Sequence, residues 1–340
     1  MSNPNDRLEP LTPREAVELY EADRRDEVSD ATLQSHGYRL ERFIEWCERE
    51  DIDNLNDVSG RDIQRFKLFR KQQVSTVTLK SQMDTLRVFL RFCESLDGVR
   101  DGVAESVVSP TVDREDNVSG AILPTDRAET ILAYLAKYNY ANIHHVLLRI
   151  LWETGCRMGA ARAIDVDHVD LHDCRIELHH QPETDTPLKN GKRGEREVAI
   201  SPDTALLIED YIEEHRHDVT DDYGRNPLLT TEYGRITKNT LRAYVYRLSR
   251  PCQYGKDCPV GRDPDDCEAV ESRMSASKCP ESRSPHAIRR GAITHWLTQD
   301  VPTEVVSDRM NVTKDVLDEH YDKRSKRERM EQRRDYLDSV

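Results

Sequence analysis

The sequence has no apolar run long enough to cross a bilayer. Its longest such stretch, His145 to Trp152, is interrupted by Arg149 and falls well short of the ~20 apolar residues a spanning helix needs. The first residues, Met1 to Asp6, lack the charged-then-apolar pattern of a secretory signal. These two absences predict a soluble, cytoplasmic protein with no membrane partner. A basic excess is missing too: 64 acidic residues against 50 basic ones give a net charge of −14, the opposite of most nucleic-acid binders. Lysine is scarce, at 12 of the 50 basic residues, so arginine, the better phosphate fork, supplies most of the positive charge. An acidic, lysine-poor surface suits concentrated salt, where charges are screened within about 3 Å at 1 M. A locally basic face can then still hold DNA, and a halophilic host is the expectation.

What is present fits two domains. The chain has 340 residues, 36% hydrophobic and 34% charged, enough for modest cores under a charged surface. Residues 1–12 carry no apolar period and read as disordered. From residue 13 to 100 the apolar positions recur at helical spacing, as in Leu40, Phe43, Ile44 and Cys47, or Met83, Leu86, Phe89 and Leu90, and no strand alternation interrupts them. This predicts a domain of four or five helices. Residues 101–120, with Gly102, Pro110, Gly120 and the run Asp113 to Asp116, read as a linker. Residues 121–340 form the second domain. It is mostly helical, with one strand pair: Cys174 to Leu178 alternates, and Glu197 to Ile200 answers it across the polar turn Lys189 to Gly194. Helices are expected over about 203–215, 237–250, 285–299, 302–310, 313–321 and 324–337. The fold class is therefore mainly α with a small antiparallel sheet.

Three separated segments carry chemistry. Thr154-Gly-Cys-Arg-Met-Gly159 is a turn after a buried helix and leaves Arg157 at its exit. In Ser284-Pro-His-Ala-Ile-Arg-Arg290, Ser284 can cap a helix and Pro285 fits its first position. His286 and Arg289 then share one face near the helix N-terminus, where N–H groups and the dipole favour an anion. The third segment is Leu317-Asp-Glu-His-Tyr-Asp322.

Taken in order, these segments resemble the tyrosine recombinase, or phage integrase, family. That family combines an Arg in a T-G-x-R turn, a His-x-x-Arg pair and a later Tyr; here they match Arg157, His286 with Arg289, and Tyr321. The resemblance covers essentially the whole chain. It implies an N-terminal helical, SAM-like, DNA-clamping domain and a C-terminal catalytic domain acting on double-stranded DNA as a homotetramer on paired sites. It implies a site-specific recombinase that works through a 3′-phosphotyrosyl intermediate without a catalytic cofactor. Tyr321 would be the nucleophile, Arg157 and Arg289 the phosphate clamps, and His286 a proton-transfer partner. The family also uses a Lys on a β-hairpin as general acid. Lys189 is preferred because it is expected at the strand end just before the turn, with Lys192 as the alternative. Two positions depart from the pattern. Val312, nine residues before Tyr321, stands where the family usually has His or Trp and cannot hydrogen-bond a phosphate, although the amide of the neighbouring Asn311 is a candidate to do so. Ala160 stands where an acidic residue is frequent. These departures keep open a catalytically impaired DNA-binding accessory protein on the same fold, and a zinc-stabilised DNA-binding regulator.

Eight cysteines are present. Cys47, Cys93, Cys156 and Cys174 are isolated and read as small buried hydrophobes. Cys252, Cys258, Cys267 and Cys279 lie within 251–280, an insertion relative to the family pattern that also holds four prolines and two glycines. A structural zinc ion, redox-active thiols and simple packing all remain open, because the spacing lacks CxxC knuckles. Beyond Tyr321, the basic run Lys323 to Arg329 with Arg333 and Arg334 offers DNA phosphate contacts, a solvated face, or a final helix that docks on a neighbouring protomer.

Overall fold

The computed structural model describes residues 8–112, 121–299 and 301–321, with Arg327, Met330 and Arg334. The expected helix over 324–337 and the basic run lie outside the described residues apart from those three. By its contacts the chain divides into two units, residues 1–119 and 120–340.

The first unit holds α1 (Pro13–Arg24), α2 (Asp30–Arg49), α3 (Gly60–Lys71) and α4 (Thr76–Ser95). Hydroxyl caps begin three of them: Thr12, Ser29 and Ser75 accept from the backbone N–H of Glu15, Thr32 and Thr78, satisfying donors that the first helical turn leaves open. The core is aromatic at its centre. Phe43 meets Phe66 edge-on at 5.2 Å and Tyr20 meets Phe89 at 5.7 Å, an arrangement that adds to plain burial. Two expectations are corrected here. Residues 8–12 are tied down: Leu11 is buried, its N–H donates to Asn54 Oδ1 at 3.2 Å and its carbonyl accepts from Leu55 at 2.8 Å. Residues 101–112 also pack on this unit. Val103, Ala104 and Val107 are buried, and the Arg87 guanidinium donates twice to the Val107 carbonyl, at 3.0 and 2.6 Å. Gly102 and Pro110 suggested a linker because three apolar side chains in polar surroundings carry no periodic signal. Residues 113–120 lie outside the described residues.

The second unit is helical: α5 (Thr125–Tyr138), α6 (Ile143–Thr154), α7 (Met158–Ala163), α8 (Pro202–Glu214), α9 (Lys238–Leu248), α10 (Glu268–Glu271), α11 (Pro285–Thr298), α12 (Thr303–Met310) and α13 (Lys314–His320). A small antiparallel sheet runs β1 (Val169–Asp170), β2 (Arg175–Leu178), β3 (Arg196–Ala199), with Ile176 opposite Val198. A second pair joins β4 (Thr230–Thr231) to β5 (Gly234–Arg235). Helix α6 is apolar on nearly every side, burying Val146, Leu147, Leu148, Ile150 and Leu151, so it forms the axis on which α5, α8 and α11 pack. A smaller cluster of Ile293, Leu297, Val306, Met310, Val312, Leu317 and Tyr321 joins α11 to α12 and α13.

Gly291 sets how closely α11 approaches the segment leading into α5. A methyl there would run into the Leu123 carbonyl oxygen and meet the Trp152 ring at 3.0 Å. Gly291→Ala should therefore destabilise the unit despite the better helix propensity of alanine. The expected cost is roughly 1–3 kcal/mol, seen in a thermal melt as about 2–4 °C per kcal/mol. A melting temperature equal to or above wild type would contradict the close approach.

Candidate active site

Helix α6 ends at Gly155, which adopts the left-handed conformation at φ 56°. A side chain there would be strained, and the space beside it is filled by Met310, whose sulfur stands 2.6 Å from the position of a Cβ. The chain turns through buried Cys156 and restarts at α7 with Arg157 as N-cap residue. This turn carries Arg157 out of the core, half-buried, with Nη1 donating to the Asn311 carbonyl at 3.3 Å.

Helix α11 begins as the sequence suggests. Ser284 Oγ accepts from Ala287 N–H at 3.2 Å and Pro285 occupies the first turn. Arg289 is buried, and its two terminal nitrogens are held by backbone carbonyls, which leaves some of its five N–H donors uncommitted. Nη1 donates to Gly155 at 2.5 Å and Met310 at 2.8 Å, and Nη2 to Asn311 at 3.4 Å. Burial, then the nearby Arg157 charge, pull its pKa down to about 10. His286 opens to solvent on one side. Lost hydration on its inner side, followed by the charges of Arg290, Arg289 and Arg157, holds its imidazole below the usual range. Among the described residues no carboxylate lies within ion-pair distance of Arg157 or Arg289. Guanidinium groups gathered without a counter-ion make a place for an external anion.

Tyr321 closes α13, its N–H bonded to the Leu317 carbonyl at 2.9 Å. It is buried in the cluster with Val312, Leu317 and Met310. The Arg290 guanidinium lies over its ring, 5.8 Å from the centroid, and its phenol also lies near Arg289. Arg157, His286, Arg289 and Tyr321 are thus brought to one locality.

Asn311 joins these parts, and the sequence did not reveal how. It ends α12 in the left-handed conformation at φ 49°, which asparagine tolerates better than most residues. Its carbonyl faces both Arg157 and Arg289. Its side chain accepts from Asn190 Nδ2 at 2.8 Å and donates to the Arg193 carbonyl at 3.5 Å. The amide anticipated as a possible phosphate ligand is therefore engaged with the loop between β2 and β3. The one available hint was an Asn between the helical run ending at Met310 and the cap residue Thr313.

The lysine expectation needs correction. The ladder closes at Leu178 opposite Arg196, so Lys189 is not at a strand end. Lys189 and Lys192 both stand exposed in the long loop between β2 and β3, which folds into short turns over Pro182–Thr184 and Gly191–Gly194. Thr186 and Leu188 are buried within that loop, so it packs on the domain without extending the strand. Through Asn190 and Arg193 the loop is nonetheless anchored at Asn311.

Val312 is buried and packs in the same apolar cluster as Tyr321, and Ala160 is buried in the main core. His295 contacts Thr125 at 3.3 Å and the Trp152 ring at 5.6 Å, while Trp296 lies under Arg309 at 4.3 Å; both serve packing. A cleft of about 780 Å³ bounded by Arg162, Asp221, Tyr233 and Arg273 includes none of the site residues. That separation is unsurprising, because a backbone phosphate docks on an open surface and needs no enclosed cavity.

Residues 122–326 match the Phage integrase family, and residues 21–95 match the Phage integrase N-terminal SAM-like domain. The chain belongs to the phage integrase family and is a site-specific recombinase, a DNA strand-transferring enzyme. Among solved structures it is similar to the Tn1549 transposon integrase in complex with transposon right end DNA. Identity there is 14%, over 96% of this chain and 100% of that one, with a TM-score of 0.65. It is also similar to a lambda integrase dimer bound to a COC′ core site, at 11% identity over 93% and 78% of the two chains, TM-score 0.64. At such identities these two establish the shared fold. The N-terminal domain of a phage integrase/site-specific recombinase from Haloarcula marismortui is 35% identical over 30% of this chain and 99% of that one, TM-score 0.29. No curated protein matches the chain in sequence.

Proposed function

We propose that this recombinase cuts double-stranded DNA with Tyr321 as nucleophile. The observation that carries the reading is the gathering of Arg157, Arg289 and His286 near Tyr321 with, among the described residues, no carboxylate within ion-pair distance of Arg157 or Arg289. The phenol oxygen attacks the scissile phosphorus, a Tyr–O–P bond forms at the 3′ end, and the bond to the 5′-oxygen breaks. A phenol of ordinary pKa near 10 is a weak nucleophile at neutral pH. His286, with its pKa held low, is neutral there and can accept the phenol proton. Arg157 and Arg289 face the non-bridging oxygens, where charge builds in the transition state. Lys189, or in its place Lys192, protonates the departing 5′-oxygen, since the loop that carries both is anchored beside Arg157. Attack by another 5′-hydroxyl reverses the sequence and joins new partners without an external energy source.

In this reading four protomers act on two paired sites in the cytoplasm, and the acidic, lysine-poor surface keeps the protein working in concentrated salt. The test is covalent capture on a nicked duplex carrying the chain's own attachment site, at low salt and at about 1 M salt. A denaturing gel should show a protein–DNA adduct at both, and peptide mapping should place the DNA on Tyr321. An adduct mapped to another residue, or tight binding without any adduct, sinks the mechanism; loss at high salt alone sinks the salt reading. Light scattering of the synapsed complex should count four chains, and two chains with full strand exchange would refute the tetramer.

A further inference from the structure

The loop from residue 251 to 280 has almost nothing of its own to fold around. Its buried side chains are Pro251, Tyr254, Ala269 and Ala276, and its regular structure is limited to short turns and the four-residue helix α10. Stretches this poor in apolar surface need another source of order. Its two ends are pinned: Ser249 Oγ accepts from the Arg283 N–H at 2.7 Å, and Arg127 donates to both the Ser249 and Glu281 carbonyls, at 2.5 and 2.6 Å. Between these ends the four cysteines, far apart in sequence, turn inward. Cys252, Cys258, Cys267 and Cys279 all line one cavity of about 20 Å³, room for about one water-sized particle. All four are reduced and half-buried.

A second, independent feature points at the same space. Arg250 is 6% exposed and lines this cavity together with Arg262. Its terminal nitrogens reach the Ala269 carbonyl and Gln253, but its buried Nε has no hydrogen-bond partner among the described residues. Such a donor is costly to bury unless something accepts from it. A metal-bound thiolate is an acceptor, and the net negative charge of a divalent ion with four thiolates is what two guanidiniums would offset.

We propose that these four cysteines bind one structural zinc ion, which organises the insertion leading into α11 and its His286. Binding converts four thiols to thiolates and releases four protons to solvent. Zinc–sulfur bonds of about 2.3 Å place sulfurs roughly 3.8 Å apart. In the structure no three of them lie within 4.8 Å of one another, so binding requires the thiols to move inward toward the shared cavity. The one trio of ligand atoms that does lie so close among the described residues is Asp165, Asp167 and His168. Its Asp165 oxygens are already held by Arg225 at 2.6 Å and Arg235 at 2.5 Å, which makes it an ion-pair node.

The zinc inference is independent of the recombinase chemistry and is read without DNA. Full-length protein, purified with reductant and dialysed against added zinc, should contain one zinc per chain by elemental analysis. Cys258→Ser and Cys267→Ser should fall well below one, while Cys174→Ser, outside the loop, should stay at one. Cobalt added to metal-stripped wild type should give the visible bands of tetrahedral thiolate coordination, a readout that holds even if a serine variant fails to fold. Chelation should raise proteolytic cutting within 255–275 by tenfold or more. Wild type without zinc, zinc content unchanged by the loop variants, or four loop cysteines unreactive to thiol reagents in unreduced denatured protein (paired as disulfides) would each overturn it.

Discussion

Arg289→Ala is expected to slow strand cleavage severely and to destabilise the second unit, whereas Arg157→Ala should slow cleavage as severely and leave stability nearly intact. The distinction comes from where each guanidinium is spent. Arg289 is buried and satisfies the carbonyls of Gly155, Met310 and Asn311, from two different stretches of chain. Removing it leaves those acceptors with fewer donors and opens a cavity at the junction of α6, α11 and α12. Lost charged hydrogen bonds of this kind cost about 1.5–3 kcal/mol each when well formed. Relief of the burial that lowers its pKa returns part of that, so a net loss of roughly 2–4 kcal/mol is expected. Arg157 makes one long contact, at 3.3 Å, and its loss should cost less than about 1 kcal/mol. For the chemistry each would lose about 10²–10³-fold or more in the rate of adduct formation, the scale seen when one oxyanion donor is deleted. Urea denaturation beside the covalent-capture assay checks both halves. Equal destabilisation by the two variants would show that Arg289 is not the structural one, and an adduct at wild-type rate in either would remove that arginine from the site.

That pair shows how far the sequence could be read. Helices were legible where an apolar stripe repeats, as at Leu40, Phe43, Ile44 and Cys47, and where Ser284 and Pro285 announce a helix start. Arg157, His286, Arg289 and Tyr321 were legible as an ordered set, and the structure brings them together. The division of labour between the two arginines was not legible, because it depends on carbonyls, which every residue has and no sequence marks. Asn311 was opaque for the same reason: its contribution is a backbone oxygen placed by a left-handed turn. The position of Lys189 was not legible, because the ladder ends at Leu178 opposite Arg196 and a long loop with no periodic signal carries the chain on to the lysines. The four cysteines lacked knuckle spacing, and only the doubling back of residues 251–280 gathers them around one space.

The second large effect is acid lability, centred on α6. His144 and His145 sit side by side in this apolar helix, and burial pushes each imidazole down to about 4. Neighbouring charges act in the same direction: Arg247 and Arg273 on His144, and Arg149 on His145. His145 is 2% exposed, and neither of its ring nitrogens has a hydrogen-bond partner among the described residues. The unfolded chain would take up protons near pH 6.5 while the folded one resists until about pH 4. The folded pKa is the lower one, so this stability is present above about pH 6.5 and is lost as pH falls through that window. His145 alone should account for about 3 kcal/mol at the acid end, and His144, more open, for less. Against a typical total of about 5–15 kcal/mol, this is enough to shift the urea midpoint strongly between about pH 7.5 and pH 4.5. His145→Leu, which cannot take a proton, should flatten that dependence and exceed wild type in stability at the acid end. The variant comparison, not the wild-type curve alone, is decisive. An unchanged slope in His145→Leu would remove this histidine as the cause. The link to function is covalent: α6 runs directly into Gly155 and Arg157, so a pH that loosens its packing also displaces a carbonyl that holds Arg289 and the turn that presents Arg157. Adduct formation should therefore fail over the same acid range in wild type and persist further in the leucine variant.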